Sequence, residues 1–243
     1  MEILKAEKIY KSFDDNEVLK DVSITLNEGE IVGLLGVSGS GKSTLLNILS
    51  GIISPDSGRV LLKGEDITSK PGEVSYMLQK DLLFEYRRVI DNVALPLILN
   101  GMSKKEARKK ADPLFSTFGI DGTQMQYPGE LSGGMRQRAA LLRTYLSSHG
   151  VALLDEPFSA LDTITKSKIH KWYLDVMQNI NLSTVFVTHD IDEAILLSDR
   201  IYILASDYKL CEIVIDEPKP RSADFDLTEK FLSYKRKIVE ILK

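Results

Sequence analysis

The chain has 243 residues, of which 43% are hydrophobic and 27% are charged, as is ordinary for a globular protein with a sizeable core. Its net charge of -4 and pI of about 5.5 argue against general nucleic-acid binding, which favours a basic chain. No apolar run approaches the roughly 20 residues that span a bilayer, so any membrane role is expected to depend on a partner.

The first 35 residues predict short antiparallel strands. Apolar and polar residues alternate, and turn residues interrupt the pattern at Asp14-Asp15-Asn16 and Asn27-Glu28-Gly29. The segment closes with an apolar run at residues 31–35, which predicts a buried strand.

A phosphate-binding loop follows that strand. Residues 36–44 match the pattern GxxxxGK[ST] in full, and a helix-like pattern comes directly after them. In this context the glycines let backbone N–H groups converge on phosphate oxygens at a helix N-terminus. Lys42 is expected to reach the β- and γ-phosphates, and the Ser43 hydroxyl to ligate Mg²⁺. The predicted nucleotide-binding residues of the loop are Gly36, Ser38, Gly39, Ser40, Gly41, Lys42, Ser43 and Thr44.

The middle of the chain changes from strand to helix patterns. Two runs, residues 59–62 and 74–78, repeat the strand style of the N-terminal segment. From about residue 87 to 150 the spacing is helical. Ser103 with Glu106 three residues later predicts a helix start. The charged run 103–110 is interpreted as a solvated helix face, because it lacks the interleaved aromatics of a nucleic-acid patch.

A second anion-binding motif lies near the end of that region. In Leu131-Ser132-Gly133-Gly134-Met135, a hydroxyl and free N–H groups stand at a predicted helix N-terminus, where negative charge is favoured. Ser132, Gly133 and Gly134 are therefore candidate phosphate contacts.

Two uninterrupted apolar runs, residues 151–154 and 184–187, flank a helical stretch at 166–179. This order predicts a parallel sheet covered on both faces. The first run ends in Asp155 and Glu156. In a phosphate-loop fold, Asp155 would hold Mg²⁺ through its water shell, and Glu156 would orient or deprotonate the attacking water.

The chain closes with an alternating strand pair, at residues 200–204 and 210–215, and a helical tail. The lone cysteine, Cys211, excludes an internal disulfide and is interpreted as a strand residue rather than a nucleophile. The apolar face of the tail predicts a helix docked on its own domain rather than on a foreign partner, through Phe231, Tyr234, Ile238 and Leu242.

Taken together, these motifs resemble the ATP-binding cassette family, whose signature reads LSGGQ, and they occur in family order from Phe13 to the tail. The resemblance implies an α/β fold, a single nucleotide-binding domain over residues 1–243. Its parts would be a phosphate-loop (RecA-like) core with a mainly parallel sheet, an N-terminal antiparallel β subdomain, an inserted α-helical subdomain at about 87–150 and a short helical tail at 218–243.

The resemblance also assigns roles to residues outside the phosphate loop. Gln79 matches the glutamine that reaches Mg²⁺ and the attacking water, and His189 matches the switch histidine that contacts the γ-phosphate. Phe13 matches the aromatic that stacks on adenine; it is preferred over Tyr10 because it directly precedes the turn at 14–16.

In the family, the signature residues contact the γ-phosphate of ATP held by the opposite subunit, so a head-to-tail homodimer with ATP and Mg²⁺ is implied. Residues 159–162 match the loop that crosses the dimer seam. Met135 replaces the final glutamine of the signature; since the phosphate contacts come from Ser132 and the glycines, we expect no loss of activity.

Residues 127–138, 155–162 and 188–194 are similar to bacterial nitrate, sulfonate and taurine importers, and residues 76–81 and 141–144 to the branch associated with hydroxymethylpyrimidine, a thiamine precursor. This implies an ATP-hydrolysing import subunit, cytoplasmic and peripheral on the inner face of the cell membrane. Its expected partners are integral membrane permease subunits and, indirectly, an extracytoplasmic solute-binding protein, with no nucleic acid.

Coupling to the permease is expected at residues 83–92, where such subunits accept a permease helix. Phe84-Glu85-Tyr86 departs from the Leu-Pro-Trp common in the subfamily. Motifs alone do not fix the direction of transport, so the ATPase subunit of an efflux system stays open as the alternative.

Overall fold

A computed structural model describes residues 1–159, 163–205, 210–219, 221–222 and 224–243. Its strands are β1 (Glu2–Phe13), β2 (Asn16–Asn27), β3 (Ile31–Gly36), β4 (Ser57–Leu62), β5 (Glu65–Asp66), β6 (Ser75–Met77), β7 (Val151–Asp155), β8 (Ser183–Thr188), β9 (Arg200–Leu204) and β10 (Leu210–Val214). Its helices are α1 (Lys42–Leu49), α2 (Val89–Val93), α3 (Leu95–Leu99), α4 (Lys104–Ala111), α5 (Leu114–Thr117), α6 (Gly133–Ser147), α7 (Thr163–Ile180), α8 (Ile191–Leu197) and α9 (Glu229–Leu242).

The first sheet is antiparallel and has the order β2-β1-β4-β5. Strands β1 and β2 span 12 residues each, longer than the short strands that the turn residues predict. Register shifts interrupt their pairing, one of them around Lys8, whose φ is 49°. Such bulges let a long strand bend while its apolar side chains stay on the buried face.

The second sheet has the order β10-β9-β3-β8-β7-β6 and is parallel except for β10. Strands β3 and β8 are buried along their whole length, because apolar clusters cover both faces of the sheet. The run at 74–78 does not share the sheet of the run at 59–62. Its strand β6 pairs in parallel with β7 at the edge of the second sheet, which places Gln79 beyond the carboxyl end of a parallel strand.

Two large apolar clusters lie on opposite faces of the second sheet. One packs α1 between the two sheets, with Leu45, Leu46 and Ile48 fully buried. The other joins the sheet to α2–α7. Within it, Ser103 caps α4 by accepting from the Glu106 backbone N–H at 3.3 Å, as the sequence predicts.

A third cluster docks the tail on its own chain. Phe231, Tyr234 and Ile238 of α9 are buried against α8 and β9, and Leu242 is partly buried at the same surface. The Tyr234 hydroxyl accepts from the backbone N–H of Asp216 at 2.9 Å. Of the helices that the structure describes, none combines the length and apolar character needed to cross a bilayer.

Candidate functional site

The phosphate-binding loop lies between β3 and α1, at the carboxyl edge of the parallel sheet. Gly41 precedes α1 with a φ of 97°, and Lys42 is the first helical residue. The Lys42 ammonium donates to the carbonyl oxygens of Gly36 and Val37, at 2.9 and 2.8 Å. Burial lowers the pKa of Lys42, and the negative charges of Glu156 and Asp155 oppose that shift. The loop therefore folds around its own lysine, and the two nearby carboxylates favour the charged form of that lysine.

The residues of this loop fit a polyphosphate. The Ser40 hydroxyl is buried and has no hydrogen-bond partner in the described part of the chain. A Cβ at Gly36 would lie 2.7 Å from both the Leu204 carbonyl oxygen and the Ser40 hydroxyl. The close approach of these two groups to the backbone therefore requires glycine at position 36. An unsatisfied hydroxyl, an ammonium group and a helix N-terminus together form a site for an anion.

Asp155, at the end of β7, faces the start of α1. Burial raises the pKa of its carboxyl, and the charge of Glu156 adds to that effect. Hydrogen bonds from Ser43 and Tyr76 and the charge of Lys42 lower the pKa in turn. A hydroxyl and a carboxylate side by side are the oxygen ligands that Mg²⁺ prefers, and Mg²⁺ needs few protein ligands when phosphates supply the rest. Ser43 and Asp155 thus fit a magnesium ion.

The three predicted catalytic side chains meet beyond the ends of β6, β7 and β8. Gln79 Nε2 donates to Glu156 Oε2 at 2.9 Å, and His189 Nδ1 lies 3.4 Å from Glu156 Oε1. Glu156 has a φ of 47°, in the left-handed region that a residue with a Cβ seldom adopts. Its backbone N–H donates to the Val187 carbonyl oxygen at 3.1 Å. Each Glu156 carboxylate oxygen therefore has one of the other two side chains as its neighbour.

The signature segment occupies the N-terminus of α6. Ser132 is the N-cap, accepting from the Met135 backbone N–H at 3.3 Å, and Ser132 and Gly133 are exposed. A cleft of about 840 Å³ has Gln79, Glu156 and His189 among its lining residues together with Gly133 of α6. Among the described residues that line it, none belongs to the loop 36–44. The structure thus brings the predicted catalytic residues together and places Ser132 and Gly133 at the exposed start of α6, with Gly133 lining the same cleft as the catalytic residues.

Two arginines of α6, which the sequence patterns do not single out, fasten the segment after Gln79. Arg143 donates to the carbonyl oxygens of Asp81 and Leu82, at 2.5 and 2.8 Å. Arg136 Nε lies 3.3 Å from an Asp81 carboxylate oxygen. Burial lowers the pKa of Arg143, and the charge of Asp81 opposes the shift. These contacts therefore join α6, the helix that begins with the signature segment, to residues 79–82, which are called the Gln79 loop below.

The expected coupling segment divides into two parts. Leu83 is buried, whereas Phe84 and Tyr86 are exposed, with Tyr86 at 74%. In contrast, residues 89–92 are buried as α2. The Asn92 side chain accepts from the Phe84 backbone N–H at 2.7 Å and donates to the Phe84 carbonyl oxygen at 3.1 Å. The exposed part, residues 84–86, is called the docking loop below.

The remaining predicted positions lie at the edges of the site. Phe13 ends β1 and is 43% exposed, with the Lys11 ammonium 5.2 Å from its ring centre. Ser159 donates to the Glu156 carbonyl oxygen at 3.0 Å, whereas positions 160–162 of the expected seam loop lie outside the described residues. Tyr76, whose hydroxyl lies 3.4 Å from Asp155, was missed by the sequence patterns. The sequence carries no signal for this contact, because it is the pairing of β6 with β7 that brings Tyr76 to Asp155.

Comparison with known proteins gives a consistent result. The family model described as ABC transporter matches residues 19–159. The formylaminopyrimidine import ATP-binding protein ThiZ of Halalkalibacterium halodurans is 42% identical over 84% of this chain and 80% of its own. The sulfate/thiosulfate import ATP-binding protein CysA of Synechococcus elongatus is 37% identical over 83% of this chain and 59% of its own.

Solved structures agree in fold. The cassette MJ0796, a bacterial ABC transporter cassette solved as a dimer, aligns with a TM-score of 0.75 and 29% identity over 89% of this chain and 100% of its own. The same cassette has also been solved as a dimer in a post-hydrolysis state bound to ADP and Pi, with the same TM-score and coverage.

Proposed function

The chain belongs to the ABC transporter family and is an ATP-binding, ATP-hydrolysing subunit; from that premise we propose that it powers uptake of a small solute through separate membrane permease subunits. Both curated relatives named above are import ATP-binding proteins, which supports import over the efflux alternative. The observation that carries the ATPase chemistry is the contact of Glu156 with Gln79 and His189 at the edge that also holds Lys42 and Asp155.

In the proposed mechanism, the loop 36–44 binds the triphosphate of ATP. Lys42 exchanges its two carbonyl partners for phosphate oxygens, and Phe13 stacks on the adenine. Ser43, Asp155 and Gln79 are the residues that would hold Mg²⁺, which neutralises negative charge on the phosphates when bound. The proposed assignments thus place one group of residues on the nucleotide and another on the reacting water.

Glu156 acts as the general base. A carboxylate oxygen accepts the proton of the attacking water while Gln79 and His189 hold the carboxylate in place. Lys42 and the partner subunit's helix N-terminus then stabilise the charge of the transferred phosphoryl group. Ser132, Gly133 and Gly134 are proposed to contact the partner's nucleotide. In support, Ser132 and Gly133 are exposed, and the cleft that Gly133 lines has no residue of the loop 36–44 among its described lining residues.

The proposed assembly is a dimer, because the signature residues of each copy are assigned to the nucleotide of the other copy. ABC ATPases form dimers, and we propose that this chain forms the head-to-tail homodimer in which each copy completes the other's site. The chain is proposed as one nucleotide-binding domain over residues 1–243, with residues 87–150 as its helical subdomain and 218–243 as its tail. The exposed apolar side chains of the docking loop support contact with a permease on the inner face of the cell membrane.

The solute is proposed to be small, with pyrimidine-like compounds as the first candidates. Support comes from the formylaminopyrimidine import relative and from the sequence similarity of residues 76–81 and 141–144 to the hydroxymethylpyrimidine branch. The nitrate, sulfonate and taurine type is a second set of candidates. Co-purification of the permease and its solute-binding protein, followed by a binding screen of both compound classes, tests this choice and the direction of transport.

The mechanism is tested with Glu156→Gln. This variant keeps the shape of the side chain and loses the base, so it should bind ATP with the affinity of the unmodified chain while hydrolysis slows by about a hundredfold or more. Measurement of ATP binding and of phosphate release in parallel gives both quantities. Near-normal phosphate release would remove Glu156 from the mechanism.

A further inference from the structure

A buried polar network adjoins His189 and takes no part in the contacts described above. It consists of Thr188, Glu193 and His170. Thr188 ends β8 and is 2% exposed, and Glu193 lies on α8 and is 3% exposed. The Thr188 hydroxyl donates to one Glu193 carboxylate oxygen, and His170 Nε2 lies 2.9 Å from the other. Because a buried carboxylate is costly unless both oxygens have partners, these contacts fix the Glu193 side chain firmly.

The network anchors the backbone on both sides of His189. The Asp190 backbone N–H donates to the Thr188 hydroxyl oxygen at 3.0 Å. The Asp190 side chain accepts from the backbone N–H groups of Asp192 and Glu193, at 3.0 and 3.2 Å, and so caps α8. The His189 side chain itself is 63% exposed. Besides its contact with Glu156, the anchors of its neighbours Thr188 and Asp190 therefore set the position of His189.

His170 also reaches the Glu156 side of the site. Its ring packs edge-on against Phe158, with 5.0 Å between ring centres and 76° between ring planes. Phe158 is buried and follows Glu156 by two residues. One imidazole thus contacts a residue close to Glu156 and, through Glu193 and Thr188, the backbone that carries His189.

We propose that His170 and Glu193 are positioning residues that keep His189 in hydrogen-bonding reach of Glu156 during ATP hydrolysis. The proposal rests on the function proposed above, in which His189 and Glu156 act together. It differs from a purely structural role of the network, because a structural role alters the stability of the fold and leaves the turnover of folded protein unchanged.

The kinetic test compares three substitutions in the full chain. His170→Phe keeps the ring against Phe158 and removes the hydrogen bond to Glu193, while His170→Gln restores an N–H donor. We expect His170→Phe to lower kcat about ten- to hundredfold, since small misplacements of catalytic groups carry costs of that size, with KM for ATP changed by less than about twofold. His170→Gln should recover most of the lost kcat. His149→Phe, a histidine whose ring lies near the Glu73 carbonyl oxygen, is the matched control and should leave kcat unchanged.

A direct test of position uses the imidazole signals in NMR spectra. The chain has three histidines, so the three substitutions His149→Phe, His170→Phe and His189→Gln assign every ring signal. In His170→Phe the His189 signal should shift or broaden, and in His149→Phe it should stay where it is. Unchanged His189 signals together with unchanged kcat in a folded His170→Phe chain would overturn the proposal.

Two further substitutions distinguish the positioning role of His170 and Glu193 from the proposed role of His189 in ATP hydrolysis. If His189→Ala retains the full kcat, the proposed role of His189 fails and the network has nothing to position. If His189→Ala is inactive while His170→Phe is fully active, only the positioning role fails. Should His170→Phe fail to fold, Glu193→Gln replaces it, because an amide keeps the shape of the side chain but exchanges one acceptor oxygen for an NH₂ donor and so cannot accept from both Thr188 and His170. It should lower kcat without changing KM, and full activity of folded Glu193→Gln would equally refute the proposal.

Discussion

At the scale of single residues, Gly41 shows how closely the phosphate loop constrains its backbone. Its φ of 97° is unfavourable for any residue with a Cβ, and a Cβ there would lie 3.0 Å from the side chains of Val18 and Leu19. Gly41→Ala should therefore lower the free energy of unfolding by about 1–2 kcal/mol and weaken ATP binding, because the loop must shift away from β2. Urea unfolding and equilibrium ATP binding measure the two effects.

Gly64→Ala provides the control for backbone strain. Gly64 has a similar φ of 85°, and a Cβ there would meet no atom within 4 Å. The substitution should lower the free energy of unfolding by about 1 kcal/mol and leave ATP binding intact. Equal ATP affinities in the two variants would contradict the role given to the Gly41 backbone.

The residue scale is also where sequence patterns are most informative. Lys42, Asp155 and Glu156 stand at fixed spacings in short motifs that follow apolar strand runs, so the sequence alone is enough to predict their positions. Tyr76 and His170 could not be predicted in this way. Their partners, Asp155 and Glu193, lie 79 and 23 residues away, and only the pairing of strands and the packing of α7 against α8 bring them together.

At the scale of elements, helix α6 holds the Gln79 loop through Arg143. Arg143→Met removes the donors to the Asp81 and Leu82 carbonyl oxygens, so the loop loses its anchor to the signature helix. We expect kcat for ATP hydrolysis to fall about tenfold or more, because Gln79 leaves its place beside Glu156, with ATP affinity unchanged. Steady-state kinetics and equilibrium ATP binding separate the two quantities.

Arg138→Met is the matched control on the same helix. Arg138 donates to the Gly119 carbonyl oxygen at 3.1 Å and lies 4.5 Å from the centre of the Trp172 ring, and burial lowers its pKa as it does that of Arg143. Both substitutions should lower the free energy of unfolding by about 1–2 kcal/mol. If both also lower kcat alike, the effect belongs to the stability of α6 and not to the Gln79 loop.

An ion pair joins α2 to α4 and gives a prediction with a defined pH dependence. Arg108 donates to both Asp91 carboxylate oxygens, at 2.8 and 2.7 Å, and Lys104 lies 3.3 Å away. The hydrogen bond from Arg108 holds the pKa of Asp91 below its usual value of 3.8. The stabilisation is therefore complete above pH 3.8 and is lost as the pH falls through the lowered pKa of the folded state.

Arg108→Met should accordingly lower the free energy of unfolding by about 1 kcal/mol at pH 7, a modest value because the arginine is partly exposed. The difference from the unmodified chain should shrink as the pH falls below 3.8. Urea unfolding at pH 7 and at acidic pH measures it. A difference that grows on acidification would contradict the ion pair as the source of the effect.

Elements differ in how well the sequence predicts them. The buried runs of β3, β7 and β8 and the cap of α4 follow directly from periodicity and from Ser103. The run at 74–78 resembles the β4 run in pattern, yet the two strands lie in different sheets. Periodicity reports how a strand is buried, whereas its sheet is decided by which neighbours the intervening chain can reach.

At the scale of the whole molecule, the outward-facing start of α6 predicts dependence on a second copy. Glu156→Gln with ATP and magnesium should form a species of twice the 27.2 kDa chain mass, because hydrolysis no longer opens the dimer. In that background, Ser132→Asp should return the protein to the monomer. The added negative charge would face the partner's triphosphate, while the chain's own ATP binding should be retained because Ser132 is not part of the loop 36–44.

Ser132→Asn supplies a control that isolates charge from helix capping. Asn, Asp and Ser are about equally good N-cap residues, so each variant should keep α6 intact and leave the thermal unfolding temperature unchanged within a few degrees. Only the aspartate adds a charge. In the Glu156→Gln background with ATP and magnesium, light scattering should therefore find dimers for Ser132→Asn and monomers for Ser132→Asp. Dimers in both variants would mean that Ser132 does not face a nucleotide across the interface, and the head-to-tail arrangement would have to be abandoned.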